Sequence, residues 1–508
     1  MKPPLVEPEQ LVIAQSRIKV SDPPMALEAI TLLVLLSMTF WSVGPLLEEW
    51  GLFRAFDRYG LAYIGMFAHE IPMRPLHLFA YAFQWALGNG HPVGVAAATA
   101  VLLTARYVLA RWAVTPLLGG YNRWAVAVLA AVAASWPGAW LGRYGSAQLS
   151  VLFFFAALGF AIRLSRRWSI TSTIGCALSI VLVLATYQGL ALCLITLPFL
   201  TLLWRFTPDT GASHGSSART RIARVGIGVA TGFAIYGSYW LAVSSKLGGS
   251  GYEGLLLSDS GRLLTFAGLW SHVVAAFTTA YVQQPHLLPA WVLTACLLCW
   301  GAISRLGTAK QKLFILVIAF LLVAALPLLS LIYVNPAHIR DADRVLFPTS
   351  FGFVLVCISL LGRFRSDAVN SANTVQTCAV VAMIVFSSFF SALNSRKYVQ
   401  IQEYVTTQTL VAVKDHHSKS VLVRDSTGIL GDVYTLYETA FGDALAVLGS
   451  DIAATICTPL NVDRLHLVAQ RFPLQSTRRC EELPVVPGEL VLTARWQDGV
   501  LLLAPATQ

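Results

Sequence analysis

A chain of 508 residues that is 56% apolar and 12% charged, with a mean hydropathy of +0.65, excludes a large soluble enzyme wetted on all sides. Its many apolar runs near membrane-spanning length mark a polytopic α-helical membrane protein. The formal charge of +10 and pI near 9.3 call for no nucleic-acid partner, because the basic residues sort to one side of the predicted helices.

The first apolar run, about 26–47, follows Lys2, Arg17 and Lys19 and has no small-residue cleavage site behind it. It reads as a retained signal-anchor helix with its amino end in the cytoplasm. Further apolar segments at about 93–111, 123–140, 147–164, 169–186, 188–205, 223–243, 287–304, 313–333, 345–362 and 375–393 bring the expectation to about eleven transmembrane helices. With the first helix running outward, every second short loop falls inside. Those loops hold Arg106, Arg111 and Arg123, then Arg163, Arg166 and Arg167, then Arg205, Arg219, Arg221 and Arg224, then Arg305, Lys310 and Lys312, then Arg363 and Arg365. The short outer turns hold Arg143 between the third and fourth segments and no basic residue at "ATYQG". This is the positive-inside pattern.

Two stretches and a tail are therefore expected outside. The first outer loop, about 48–92, holds "LLEEWGLFRAFDRYG" and then a run, Leu76 to Leu87, too short to cross a bilayer. Pro75 at its start, Gly88-Asn89-Gly90 at its end and apolar residues over most of its surface predict a helix lying at the membrane interface. The second, about 244–286, is rich in glycine around Tyr252 and Glu253 and reads as a mobile lid or as an ordinary loop. In the tail, the alternation in "SVLVRDS" and "GELVLTARW" predicts strands. The expected division is a transmembrane catalytic domain over residues 1–393 and a small soluble α/β domain over residues 394–508. Cys457 and Cys480 form the tail's single cysteine pair and are expected to be disulfide-linked in an oxidising compartment. Cys296 and Cys299, within a predicted helix and lacking ligand partners, read as small apolar residues. His416 and His417 read as solvent-facing.

The loop's "EEW", the "RPL" opening its interfacial helix, "GNGHPVGVAAATAVLLTARYVLARW", "ASWPGAWLGRYGSAQLSVLFFF", "ATYQGLALCLITLPFL" and "RDADRVLFPTSFGFVLV" together resemble the polytopic GT-C glycosyltransferases. The likeness spans about Leu46 to Leu360 and is to enzymes such as protein O-mannosyltransferases and lipid A aminoarabinose transferases. It implies a polyprenyl-phosphate sugar donor, a glycan, lipid or protein acceptor, and chemistry on the outer face of the inner (plasma) membrane of a bacterium. Many relatives carry Asp-Asp or Asp-Glu where this chain has Glu48-Glu49, so which glutamate acts stays open. The residues and the resemblance together give Glu48, Glu49 and Asp57 as candidate catalytic residues, and Arg74, His77, Arg143, Tyr187, Gln188, Tyr252, Glu253 and Arg344 as candidate substrate-binding residues. The resemblance implies no metal ligands and no definite cofactor, and leaves a divalent cation open.

The residue types fit that chemistry. Sugar transfer from phosphate to a hydroxyl needs a base for the acceptor proton and cations or dipoles for the departing phosphate. A guanidinium fork donates two hydrogen bonds to a phosphodiester at once. Each residue also has a structural alternative. The glutamates have solvated charges at a helix exit as their lesser reading, and Asp57 reads also as a salt-bridge partner of Arg54 or Arg58. Arg344 reads as part of an ion-pair network with Arg340, Asp341 and Asp343, and His69-Glu70 lacks an obvious third metal ligand.

Three further classes compete, one of them a non-catalytic membrane scaffold with a periplasmic domain. An O-antigen polymerase or ligase shares the lipid-linked substrate but places its arginines in a large late loop. A secondary transporter is expected to show related halves and ionisable residues near mid-membrane, whereas here almost every charge falls at a predicted helix end.

Overall fold

The computed structural model describes residues 24–40, 44–45, 49–118, 120–132, 145–202, 204, 217–245, 355, 399–432, 440–457 and 485–506. The protein is mainly α-helical, with a small β-containing region near the end of the chain. Helix α1 is Met25–Phe40, shorter than the apolar run containing it; Gly44 and Pro45 lie outside any helix, as the steric demand of proline on its predecessor favours. Among the described residues, three helices are long and apolar enough to cross a membrane: α5 (Val93–Val114), α7 (Gly145–Arg166) and α10 (Ala218–Ser244). Two that accompany them, α6 (Gly120–Val132) and α8 (Ile170–Thr186), complete the packed bundle together with α9 (Ala191–Leu200).

Local chemistry sets the helix starts. Ser169 caps α8 by accepting from the Ser172 N–H at 3.4 Å, and Ser217 caps α10 by accepting from the Thr220 N–H at 3.2 Å. Helix α7 packs on α5 and α8, and α8 packs on α10. Close approach there depends on glycine: a Cβ on Gly159 would lie 2.0 Å from the Trp112 ring. That ring is covered by Arg163, whose guanidinium sits 3.7 Å from its centroid.

Two basic residues expected in a loop lie within α5. Arg111 is buried and, with the Tyr107 hydroxyl, donates to Glu28 of α1, latching α1 to the bundle. Arg106 is also buried and donates to the Ala131 carbonyl at 3.3 Å and to the Gln148 side chain. Arg111 lies in the last turn of α5, as expected of a charge at a helix end, whereas Arg106 lies further inside the helix. A long side chain inside a bundle is held by polar groups of neighbouring helices that the linear sequence does not show.

The first long loop is folded. Helices α2 (Glu49–Tyr59), α3 (Ala62–Phe67) and α4 (Phe79–Leu87) follow one another in it. On α2, Trp50, Phe53 and Phe56 are buried. Phe56 stacks on Trp85 of α4 at 5.9 Å, and the Trp85 indole N–H donates to Asp57 at 2.7 Å. Helix α4 turns Phe79, Phe83 and Leu87 outward at spacing i, i+4, i+8, while Ala80, Tyr81, Ala82 and Gln84 face the protein. An exposed apolar row at that spacing suits the interfacial placement expected from the sequence. A tight turn joins α4 to α5 through Asn89 (φ 48°) and Gly90 (φ 84°).

The tail begins with helix α11 (residues 399–415) and continues with β1 (Ser420–Asp425), α12 (Ala440–Val447), β2 (Ala453–Cys457), β3 (Leu490–Gln497) and β4 (Val500–Pro505). The two stretches whose alternation predicts strands are β1 and β3. The sheet order is β2-β1-β3-β4, with β1 parallel to both neighbours and β3-β4 an antiparallel hairpin. The α/β core is continuous with the first loop: Trp50 and Phe53 belong to the same apolar cluster as Val421, Val423, Phe441, Leu445 and Leu492. Enclosing a side chain such as Phe53 contributes about 1.5–3 kcal/mol.

Candidate functional site at the first-loop end of the bundle

The segment "IPMRPLH", residues 71–77, carries two prolines that bar a regular helix, so its backbone carbonyls need partners from elsewhere. The bundle supplies them. The Tyr239 hydroxyl donates to the Pro72 carbonyl at 2.7 Å, and the Tyr236 hydroxyl to the Met73 carbonyl at 2.7 Å. The Gln188 amide reaches the same Met73 carbonyl at 3.4 Å and also meets the Tyr236 hydroxyl. The Leu76 N–H donates to the Ala185 carbonyl at 3.0 Å. Helix α8 ends where Tyr187 adopts an extended backbone (φ −158°, ψ 119°), and the chain then makes a short 3-10 turn, Gln188–Leu190.

Four of the residues singled out in the sequence thus fall in two segments that are joined through Met73, Leu76 and His77. Arg74 and His77 on the first loop are seated against the turn that carries Tyr187 and Gln188, although more than a hundred positions separate the two pairs. His77 hydrogen-bonds the Thr186 backbone and lies 5.6 Å from the Tyr81 ring, with its Nδ1 sealed from solvent and lacking a hydrogen-bond partner. Burial, then the nearby Arg74 charge, push the His77 pKa down to about 3, against a small opposing effect of the Thr186 bond. The ring is therefore neutral at physiological pH. The phenol and amide donors of this cluster hold the backbone ahead of Arg74, and the neutral imidazole lies beside that cation.

The His77 environment gives a signed pH dependence. The unfolded residue takes up a proton near pH 6.5 and the folded one only near pH 3, so the unfolded state binds more protons across that window. Stability should fall as pH drops from 6.5 toward 3, by at most about 1.4 kcal/mol per pH unit for one proton. Thermal unfolding in detergent between pH 7 and pH 4 measures this slope, and His77→Leu should flatten it. An equal slope in the variant would assign it to other groups.

The other sequence-selected residues are placed differently. Glu49 opens α2 and is 1% exposed, so it is not a solvated rim charge. Asp57 pairs with neither expected arginine: it accepts from Trp85 and thereby ties α2 to α4, while Arg54 reaches the tail and Arg58 lies over the Tyr59 ring. Helical spacing brought Arg54 and Arg58 near Asp57 on paper, but the tertiary partners took precedence. Glu48, Arg143, Tyr252, Glu253, Arg344 and Cys480 lie outside the described residues. Cys457 is disulfide-bonded. His69 and Glu70 form an exposed pair at 3.1 Å. Among the described residues no three His, Cys, Asp or Glu side chains gather as a metal site.

Tyr236 and Tyr239 escaped the sequence reading. The signal was present in "YGSYW", two tyrosines one helical turn apart near the end of an apolar helix, where aromatic residues commonly mark a membrane interface. No protein-family model matches the chain, and no curated protein matches it. The fold itself defines a helical protein of multi-pass membrane character with a polar cluster at the first-loop end of its bundle.

Proposed function

We propose that the chain is a GT-C-like membrane glycosyltransferase of about eleven transmembrane helices, moving a sugar from a polyprenyl-phosphate donor to an acceptor on the outer face of the membrane. One observation carries the reading. Arg74, His77, Tyr187 and Gln188 gather beside a helix whose opposite face presents Phe79, Phe83 and Leu87. A lipid with a phosphate head and an apolar tail has the same division of chemistry. In the proposed step Glu48 or Glu49 takes the proton of the acceptor hydroxyl, whose oxygen attacks the anomeric carbon. The bond from that carbon to the phosphate oxygen breaks, and polyprenyl phosphate leaves with its charge met by Arg74, with Arg143 and Arg344 as further candidates. Tyr252 and Glu253 would contribute from the second long loop, and the tail would lie outside the cytoplasm.

Membranes containing the expressed protein, given a panel of radiolabelled polyprenyl-phosphate sugars, should show transfer from at least one of them. Arg74→Ala should weaken binding of that donor by about tenfold or more through loss of a charge-assisted contact. Absence of transfer from every donor would reject the reading. A secondary transporter is the second reading, favoured by Arg106, which is buried within α5 where an ionisable side chain is costly and commonly functional. Arg106-dependent solute uptake into proteoliposomes, without sugar transfer, would select it.

A further inference from the structure

We infer that the C-terminal α/β unit positions α2 through Arg54, and so sets the placement of Glu49, a candidate base; the catalytic part of this inference rests on the glycosyltransferase reading. Arg54 spans two elements of the tail. Its Nη1 donates to Asp443 of α12 at 2.8 Å and its Nη2 to Asp451, just before β2, at 2.9 Å. The Arg54 side chain is 39% exposed, that of Asp443 12% and that of Asp451 84%, so one arm of the fork is part-buried and the other is wet. One turn earlier, the Trp50 indole N–H donates to Gln402 of α11 at 3.4 Å. Backbone proximity leaves little slack: a Cβ on Gly51 would lie 3.2 Å from the Asp443 carboxylate.

Glu49, Trp50 and Phe53 share the buried face of α2, so a shift of that helix against α12 displaces the glutamate. The shift would also travel the other way along α2. Phe56 and Asp57 both hold Trp85, which is part of α4, the helix that follows His77. The apolar contacts of Trp50 and Phe53 already supply adhesion. A part-exposed ion pair adds little net stability because solvent screens it, and its use here is to fix one arrangement of α2 against α12. Arg54 is therefore a positioning residue, with Asp443 its principal partner and Asp451 an auxiliary one.

Hydrogen exchange on the full-length protein in nanodiscs tests the coupling without any substrate. In Arg54→Ala and in Asp443→Asn, exchange over residues 49–59 should rise by about two- to fivefold, the size of a lost part-exposed ion pair, while α7 stays unchanged. Asp451→Asn should give a smaller rise, and the charge exchange Arg54→Asp with Asp443→Arg should restore protection. In the transfer assay the same single variants should lower kcat and leave KM for the donor lipid within about twofold, as loss of transition-state placement requires; the exchanged pair should recover kcat. Unchanged exchange over 49–59 in both single variants would overturn the inference. So would an equal rise in α7, which would mean general loosening. A wild-type chain with no transfer activity but the expected exchange pattern would sink the glycosyltransferase reading and leave the coupling standing.

Discussion

Replacing Glu48 and Glu49 together by Gln should lower sugar transfer by about 10²-fold or more, the usual worth of a general base. Glutamine keeps the length and hydrogen-bonding reach of glutamate and removes its proton affinity. At Glu49 this choice matters especially, since the residue is enclosed at the start of α2 and a smaller side chain would leave a void beside Trp50. Donor binding should change little, because the carboxylate acts mainly in the transition state. The single variants then name the base: the one whose loss equals that of the double variant carries the proton. Full transfer by all three, with expression confirmed, would reduce both glutamates to structural residues.

Gly94→Ala should be the most destabilising small substitution in the first-loop region. A Cβ at this position would lie 2.0 Å from the Gln84 carbonyl oxygen and 2.6 Å from the Gly88 nitrogen. Both are backbone atoms at the end of α4, so no side-chain rotation relieves the overlap. Either α4 lifts from α5 or the turn through Asn89 and Gly90 opens, at a cost of about 3 kcal/mol or more by analogy with severe overpacking. Because α4 lies beside the His77 cluster and contacts α7, donor binding should weaken along with thermal stability. A melting temperature for Gly94→Ala within a degree of wild type would refute this account. Ala at Gly65, where a Cβ meets nothing, is the matched control.

The solvent of this protein was legible in its composition. Apolar runs at membrane-spanning length predict α5, α7 and α10 within a few residues, since a bilayer imposes length and hydropathy on each helix separately. The short helix after "RPLH" was legible for a similar reason: a run too brief to cross, bounded by proline and glycine, can lie along the surface, and α4 has the apolar outer row that requires. Strands β1 and β3 were legible from alternation.

Partnerships between distant residues were not legible. Nothing local distinguishes Arg54, expected beside Asp57, from the residue that grips Asp443 and Asp451 nearly four hundred positions later. Arg106 looks like a loop cation in a list of basic residues; only the approach of α6 and α7 gives it the Ala131 carbonyl and Gln148 as partners inside the bundle. Long apolar helices, an elaborated first loop and an α/β tail could be read from local segments, because hydropathy and strand periodicity act over a few residues. That the tail shares a core with that loop, that Glu49 is enclosed, and that Tyr236 and Tyr239 hold the backbone ahead of Arg74 came from packing alone. Those outcomes turn on which buried donors and acceptors find each other once the helices pack, a condition set by the whole fold and by no single segment.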